Sequence, residues 1–298
     1  MTAGRPGSRQ LMHLELLPSD QLAWMGPALA TLAGAIASHR LALHADSLVA
    51  LLLALLLADP LLGGLWSAVM QGEWRARWEA SAPQEPVSPG LPHAVPGSLA
   101  HRLAEWLAHL GGGGRDGGDL GLLLPLTQVG FFLVASVAVA AVLGPSVVLL
   151  VVAGAALALL RGLLSGLGRD ARWPEALFFF GVAWSVGYGT FGGLPLSPQP
   201  DAVLAALLAV AWCAAYYGYR ALAAGGGLTG GLIALDAGQT LAVALLSGSG
   251  RPWQAGLAGL LLAAQMLGQP VVWRDGDRQS YLRGALPFMV AALVVSFV

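Results

Sequence analysis

Lysine is absent from this chain of 298 residues, and charge of either sign is scarce. Only 10% of the residues are charged, against about 25% in a soluble domain. With 56% hydrophobic residues and a mean hydropathy of +0.70, too few charges remain to cover a water-facing surface. That excludes a soluble globular domain and leaves a polytopic membrane protein. A net charge of −1, with all fifteen basic residues arginine and scattered, gives no basic patch and excludes nucleic acid as a partner. The single cysteine, Cys213, lies in an apolar run. It excludes an internal disulfide and reads as a small buried side chain.

What the chain has instead is long apolar segments. A membrane span needs about 20 mostly apolar residues. Nine segments qualify, at roughly 22–38, 46–69, 121–143, 145–166, 174–193, 201–222, 227–247, 252–270 and 281–298. The expected fold is all-α, one transmembrane domain over 1–298. Arginine placement supports the count. With a cytoplasmic N-terminus and nine crossings, thirteen arginines fall on the cytoplasmic side and only Arg40 and Arg251 on the other. This is the asymmetry of the positive-inside rule, and it puts the C-terminus outside. Arg5 and Arg9 before the first apolar segment also fit a signal peptide with a cleavage site near Ala35-Ile36-Ala37. Pro27 and Gly34 read better as packing residues of a retained first helix.

The long connection 70–120 holds a Pro-rich stretch and a Gly-rich stretch around SLAHRLAEWLAHLG. Within it, the spacing predicts an amphipathic helix over 98–110. Leu99, Leu103, Trp106, Leu107 and Leu110 would share its apolar face, with Ser98 suited to cap it and Gly111 to end it. It is expected to lie in the membrane interface as a lid. His101, Glu105 and His109 follow a four-residue spacing but drift around the helix, so they read as a solvated polar face and no metal site is assigned.

Polar residues inside apolar segments are the candidate sites. Asp59 precedes Pro60 in the middle of the second segment. The pair reads as a helix break at Ala58 with Asp59 as N-cap and Pro60 as the first helical residue, and Gly63 and Gly64 packing on a neighbour. A proton or cation site at Asp59 is the alternative. Asp236 in the seventh segment has Gln239 and Thr240 one turn on, within hydrogen-bonding reach, and Gln265 and Gln269 form a polar stripe in the eighth. Such side chains either glue helices together or line a pocket for a polar head group. The fifth and sixth segments are aromatic. Phe178, Phe179, Phe180, Trp184, Tyr188, Phe191, Trp212, Tyr216, Tyr217 and Tyr219 surround either a packed core or an apolar ligand, with Gly181, Gly187 and Gly189 removing bulk. Arg220 at the cytoplasmic end meets a phosphate or carboxylate, or snorkels to the interface.

Several segments together resemble the UbiA superfamily of intramembrane prenyltransferases, in its menaquinone-pathway branch. PEALFFFGVAWSVGYGTFGG and DAVLAALLAVAWCAAYYGYRAL resemble that branch's fifth and sixth helices. LLPSDQLAWMGPALATLAGAIAS is similar to its first, GQTLAVALLSG to the stretch after its second acidic motif, and YLRGALPFMVAALVVS to its last helix. The resemblance implies a nine-helix bundle in a bacterial inner membrane and an isoprenoid, quinone or pigment-type ligand. The family's two Asp-rich motifs, which hold magnesium and the prenyl diphosphate, do not match. GGLWSAVMQGEW offers only Glu73 at the first position, with Glu79 further on, and ALAAGGGLTGG offers no acid at the second. The expectation is therefore a degenerate relative that binds such a lipid without magnesium-dependent prenyl transfer. Two alternatives stand beside it. One is an active prenyltransferase with relocated carboxylates, Glu73, Glu79 and Asp236, needing magnesium. The other is a structural or assembly subunit with a membrane-protein partner.

Overall fold

The computed structural model describes residues 26–42, 44–71, 123–166, 172–193, 199–225 and 227–298. Among them every regular element is helical. α1 (Pro27–Ala37) is followed by α2 (Ala45–Leu56), which runs through a π-helical turn (Leu57–Leu61) into α3 (Leu62–Gln71). α4 (Leu123–Leu143) and α5 (Pro145–Gly166) come next. α6 (Arg172–Ala176) runs through a second π turn (Leu177–Val182) into α7 (Ala183–Gly192). The chain closes with α8 (Pro200–Ala223), α9 (Leu228–Gly248), α10 (Pro252–Met266), α11 (Gln269–Asp275) and α12 (Arg278–Phe297). Proline opens α1, α5, α8 and α10, at the position where its missing N–H and fixed φ suit a helix start.

Six of these helical stretches are long and apolar enough to cross a membrane: Ala45–Met70, Pro125–Leu143, Pro145–Ser165, Pro200–Ala223, Leu228–Gly248 and Arg278–Phe297. The protein is an all-α integral membrane protein. The first and eighth expected segments appear as helices of 11 and 15 residues. The fifth is divided by its π turn. The proposed lid helix at 98–110, with His101, Glu105 and His109, lies outside the described residues, as do Arg5 and Arg9.

Two expectations need correction. The second segment does not break at Ala58. It stays helical from Ala45 to Gln71, and Asp59-Pro60 sits inside the π turn. Proline lacks an N–H and its ring collides with the carbonyl four residues back. Widening the turn by one residue accommodates both without ending the helix. Asp59 is therefore not an N-cap. The eighth segment, conversely, does break. α10 ends at Met266 and the chain turns through Leu267 and Gly268 before α11 starts at Gln269 with Pro270. Pro270 cannot continue the preceding helix, so its residue pair becomes a new start.

Two apolar cores fill the bundle. One lies between α2–α3, α4, α5 and one face of the second π turn, around Leu57, Leu62, Leu65, Trp66, Val147, Val151 and Phe178. The other lies between α1, α6–α7, α8, α9, α10 and α12, around Phe180, Trp212, Tyr219, Leu235, Leu282 and Met289. Helices of the second core meet with unusual intimacy. A Cβ on Gly218 or Gly238 would fall inside the backbone of the facing helix of the α8–α9 pair. The same holds for Gly34 and Gly187 where α1 crosses α7. There Thr31 donates to both the Pro27 and the Ala183 carbonyls, at 2.8 and 3.1 Å. Small residues at such crossings let backbones approach, which is how helices associate in a membrane. α1 is thus a full member of the bundle.

Several connections meet at one end of the bundle. His39, Asp201, Arg251 and Phe297 line one shallow depression, so the α1–α2 connection, the start of α8, the α9–α10 connection and the end of α12 share an end. At another point Arg220 near the end of α8 meets Glu175 in α6.

Candidate functional site: an intramembrane polar centre

The break between α10 and α11 decides the site. It turns Gln269 back onto α9, where its Nε2 donates to both carboxylate oxygens of Asp236, at 2.8 and 2.9 Å. The same nitrogen lies 3.4 Å from the Tyr281 hydroxyl of α12. Gln265, one turn earlier in α10, lies 3.3 Å from that hydroxyl through Nε2 and accepts from Gln239 Nε2 at 3.0 Å. Five polar side chains from four helices thus form one chain of hydrogen bonds: Asp236, Gln269, Tyr281, Gln265, Gln239. Placing an unpaired polar group among apolar helices is costly, and such networks hold only when their members are partnered.

The network is buried at one end and open at the other. Gln239 and Gln265 are each 3% exposed. Asp236 and Gln269 are half-buried and lie at the rim, near exposed Ile233 on α9 and Leu267 beyond α10. At the buried end, Gln239 Oε1 has no hydrogen-bond partner. Reading α9 alone places Gln239 or Thr240 on Asp236. The structure gives Asp236 to Gln269 instead, turns Gln239 toward Gln265, and leaves Thr240 exposed. Tyr281 escapes a sequence reading because nothing local marks it. It sits one helical turn into an ordinary apolar span, and only the fold brings it to Gln265 and Gln269.

The other candidates lie elsewhere. Trp184 and Tyr216 are buried in the second core, and Tyr188 and Tyr217 are partly buried against it. Trp184 stacks on Tyr188 with centroids 5.2 Å apart, Phe180 packs on Tyr216 at 6.1 Å, and Tyr216 stacks on Tyr219 at 6.4 Å. These rings pack on one another. Gly187 makes room for α1 rather than for an aromatic ring. Arg220 meets a carboxylate of this chain: Nε and one terminal nitrogen contact Glu175 Oε1 at 2.8 and 2.5 Å. Asp59 is half-buried in its π turn. Of the two glycines after it, Gly64 faces the Phe132 ring closely, whereas Gly63 has open space beside it. Glu73 and Glu79 lie outside the described residues. Among the described residues no three His, Cys, Asp or Glu side chains group as metal ligands. No protein family, no curated protein and no solved structure matches the chain.

Proposed function

We propose that this protein is a UbiA-like helical bundle that binds an isoprenoid, quinone or pigment-type lipid through the Asp236 centre, without magnesium-dependent prenyl transfer. The observation that carries the reading is the centre itself: a carboxylate and three amides converge inside an apolar bundle, half-open at the rim. An ionisable group at membrane depth is by default a candidate functional site. Asp236, which a relocated magnesium site would need, is already engaged by Gln269.

The topology we propose has nine crossings, a cytoplasmic N-terminus and a C-terminus outside a bacterial inner membrane. It is supported by the shared end of the α1–α2 and α9–α10 connections, the start of α8 and the end of α12, which an alternating nine-pass chain requires. Arg40 and Arg251, the two arginines expected outside, belong to the connections at that end.

One observation favours a second reading, a structural subunit of a membrane complex. The aromatic side chains of α6–α8 fill their own core, with Trp212, Tyr219 and Phe180 almost fully buried. The test is lipid extraction and mass spectrometry of gently purified protein, repeated after incubation with magnesium and a labelled prenyl diphosphate. Retained isoprenoid-type lipid without diphosphate consumption is the expected result. Consumption that disappears with Glu73→Gln or Asp236→Asn would establish the active-enzyme alternative. Neither lipid nor consumption would leave the subunit reading.

A further inference from the structure

We infer that the head group taken by the Asp236 centre is neutral and carries a hydroxyl, as a prenol or a quinol does, and is not an anionic diphosphate. This rests on the lipid-binding reading above.

The argument comes from unused hydrogen-bonding capacity. Asp236 receives one amide nitrogen on its two oxygens, so a carboxylate with about four acceptor positions keeps room for another donor. Gln239 has the opposite end of its amide buried and without a partner. Whichever way that amide is turned, one of its polar ends is left over, because only the end facing Gln265 is engaged. Asp236 and Gln239 are three residues apart on α9 and so project from neighbouring positions of one helix face. One hydroxyl serves both when the Gln239 amide is turned to present its nitrogen: the hydroxyl hydrogen goes to the carboxylate and the hydroxyl oxygen accepts from Gln239 Nε2. The bonded groups of the centre are amides, a phenol and a carboxylate, and none is a cation. A diphosphate would set its charge against Asp236 with nothing in this network to neutralise it. A carbonyl-only head, such as an oxidised quinone, has no hydrogen to give the carboxylate. The rim, where Asp236 and Gln269 are half-buried beside exposed apolar residues, lets a lipid tail remain in the bilayer while its head enters.

The test uses the full chain in nanodiscs and three labelled probes: farnesol, farnesyl methyl ether and farnesyl diphosphate. The ether replaces the donated hydrogen with a methyl group, and the diphosphate replaces it with a bulky anionic group. Farnesol is expected to bind about tenfold or more tightly than either, since a hydrogen bond to a charged group is at stake. Asp236→Leu is expected to abolish that preference and Gln239→Leu to reduce it. Asp59→Asn, which alters an acid outside the centre, is expected to leave it intact. Thermal unfolding of each variant separates lost binding from lost fold, and Asp236→Asn serves if Asp236→Leu does not fold. Equal affinity for all three probes would mean that the tail alone is recognised, overturning the inference while the lipid-binding reading stands. Preference for the diphosphate would overturn it too and move the head group to an arginine such as Arg220. No binding of any probe by protein that retains another lipid would overturn the head-group inference only. No probe bound and no lipid retained would overturn both.

Discussion

The two cores of this bundle hold their helices apart by different means. Around α3, α4 and α5 the spacers are side chains. The Cβ position of Gly64 meets the Phe132 ring, that of Gly154 lies 3.4 Å from Phe178, and that of Gly162 lies 3.5 Å from Val69. Around α8 and α9 the backbones themselves touch, at Gly218 against Leu235 and at Gly238 against Ala215. The polar content follows the same division. The network from Asp236 to Gln239 lies among the helices of the second core, whereas Asp59 sits apart from it, in the π turn where Leu57 joins the first core and Ala58 the second. α4, in the first, is also the least buried of the long helices, 11% against 56% for α8. Side chains can move aside and a backbone cannot. The first core is therefore the tolerant half and the second the rigid one, and a polar centre needs rigidity to keep its geometry.

The contrast breaks most sharply at the glycines. Gly218→Leu is expected to cost about 3 kcal/mol or more, because the facing backbone has nowhere to go. Gly64→Ala, which meets a ring that can swing, is expected to cost about 1 kcal/mol, and Gly63→Ala no more than about 0.5 kcal/mol. Thermal unfolding in detergent, followed by tryptophan fluorescence, ranks them. Equal losses at Gly218 and Gly64 would erase the distinction.

Next in size is the turn between α4 and α5. Gly144 has φ +129°, a conformation that side-chain-bearing residues rarely adopt. Gly144→Ala is expected to cost about 1–2 kcal/mol although nothing crowds the site. The effect is strain alone, and Gly144→Ser should match it.

A double-mutant cycle on Gln239→Leu and Gln265→Leu measures the rigid half's network. Hydrogen bonds between membrane helices average about 0.6 kcal/mol and reach about 1.7 kcal/mol, and a coupling in that range is expected here. Asp59→Asn is expected to show no coupling to either glutamine. Coupling between them would mean that the two cores are one energetic unit.

The smallest effect lies at the start of α12. The Ser280 hydroxyl donates to Asp277 Oδ2 at 2.5 Å and the Ser280 N–H to Oδ1 at 3.0 Å, and these bonds hold the exposed Asp277 carboxyl below its ordinary range. The cap therefore contributes fully above the ordinary carboxylate value of 3.8 and fades as pH falls through the lower, folded value. Asp277→Ala should lower the melting temperature slightly at neutral pH, with the difference from the parent chain shrinking in acid.

Much of the architecture was legible in the residues because hydrophobicity alone marks a lipid-facing helix. The match of the expected segment 145–166 to α5 (Pro145–Gly166) needs no tertiary information, since Pro145 starts the helix and the apolar run defines its length. Asp59-Pro60 misled because capping preferences describe helices that end in water. In the middle of an apolar run the cheaper solution is to remain helical and widen one turn. The α10–α11 break was missed for the complementary reason, as the apolar run continues across Gly268 and Pro270. At the site, Asp236, Gln239, Gln265 and Gln269 were visible as polar exceptions. Their pairing was not, because it depends on that break. Glu175 and Tyr281 carried no signal of their own: an acid near a helix start and a tyrosine near an interface are ordinary on their faces.

Gly144 has a consequence for how the protein is made. With a single residue between α4 and α5, the pair has no loop of its own to be threaded across on its own account. With so short a connection, α4 and α5 are expected to enter the bilayer together as a hairpin. A ribosome stalled after α4 would leave that helix only α2–α3 to pack on, as at Gly64 against Phe132, and this half of the bundle is complete only once α5 has joined it.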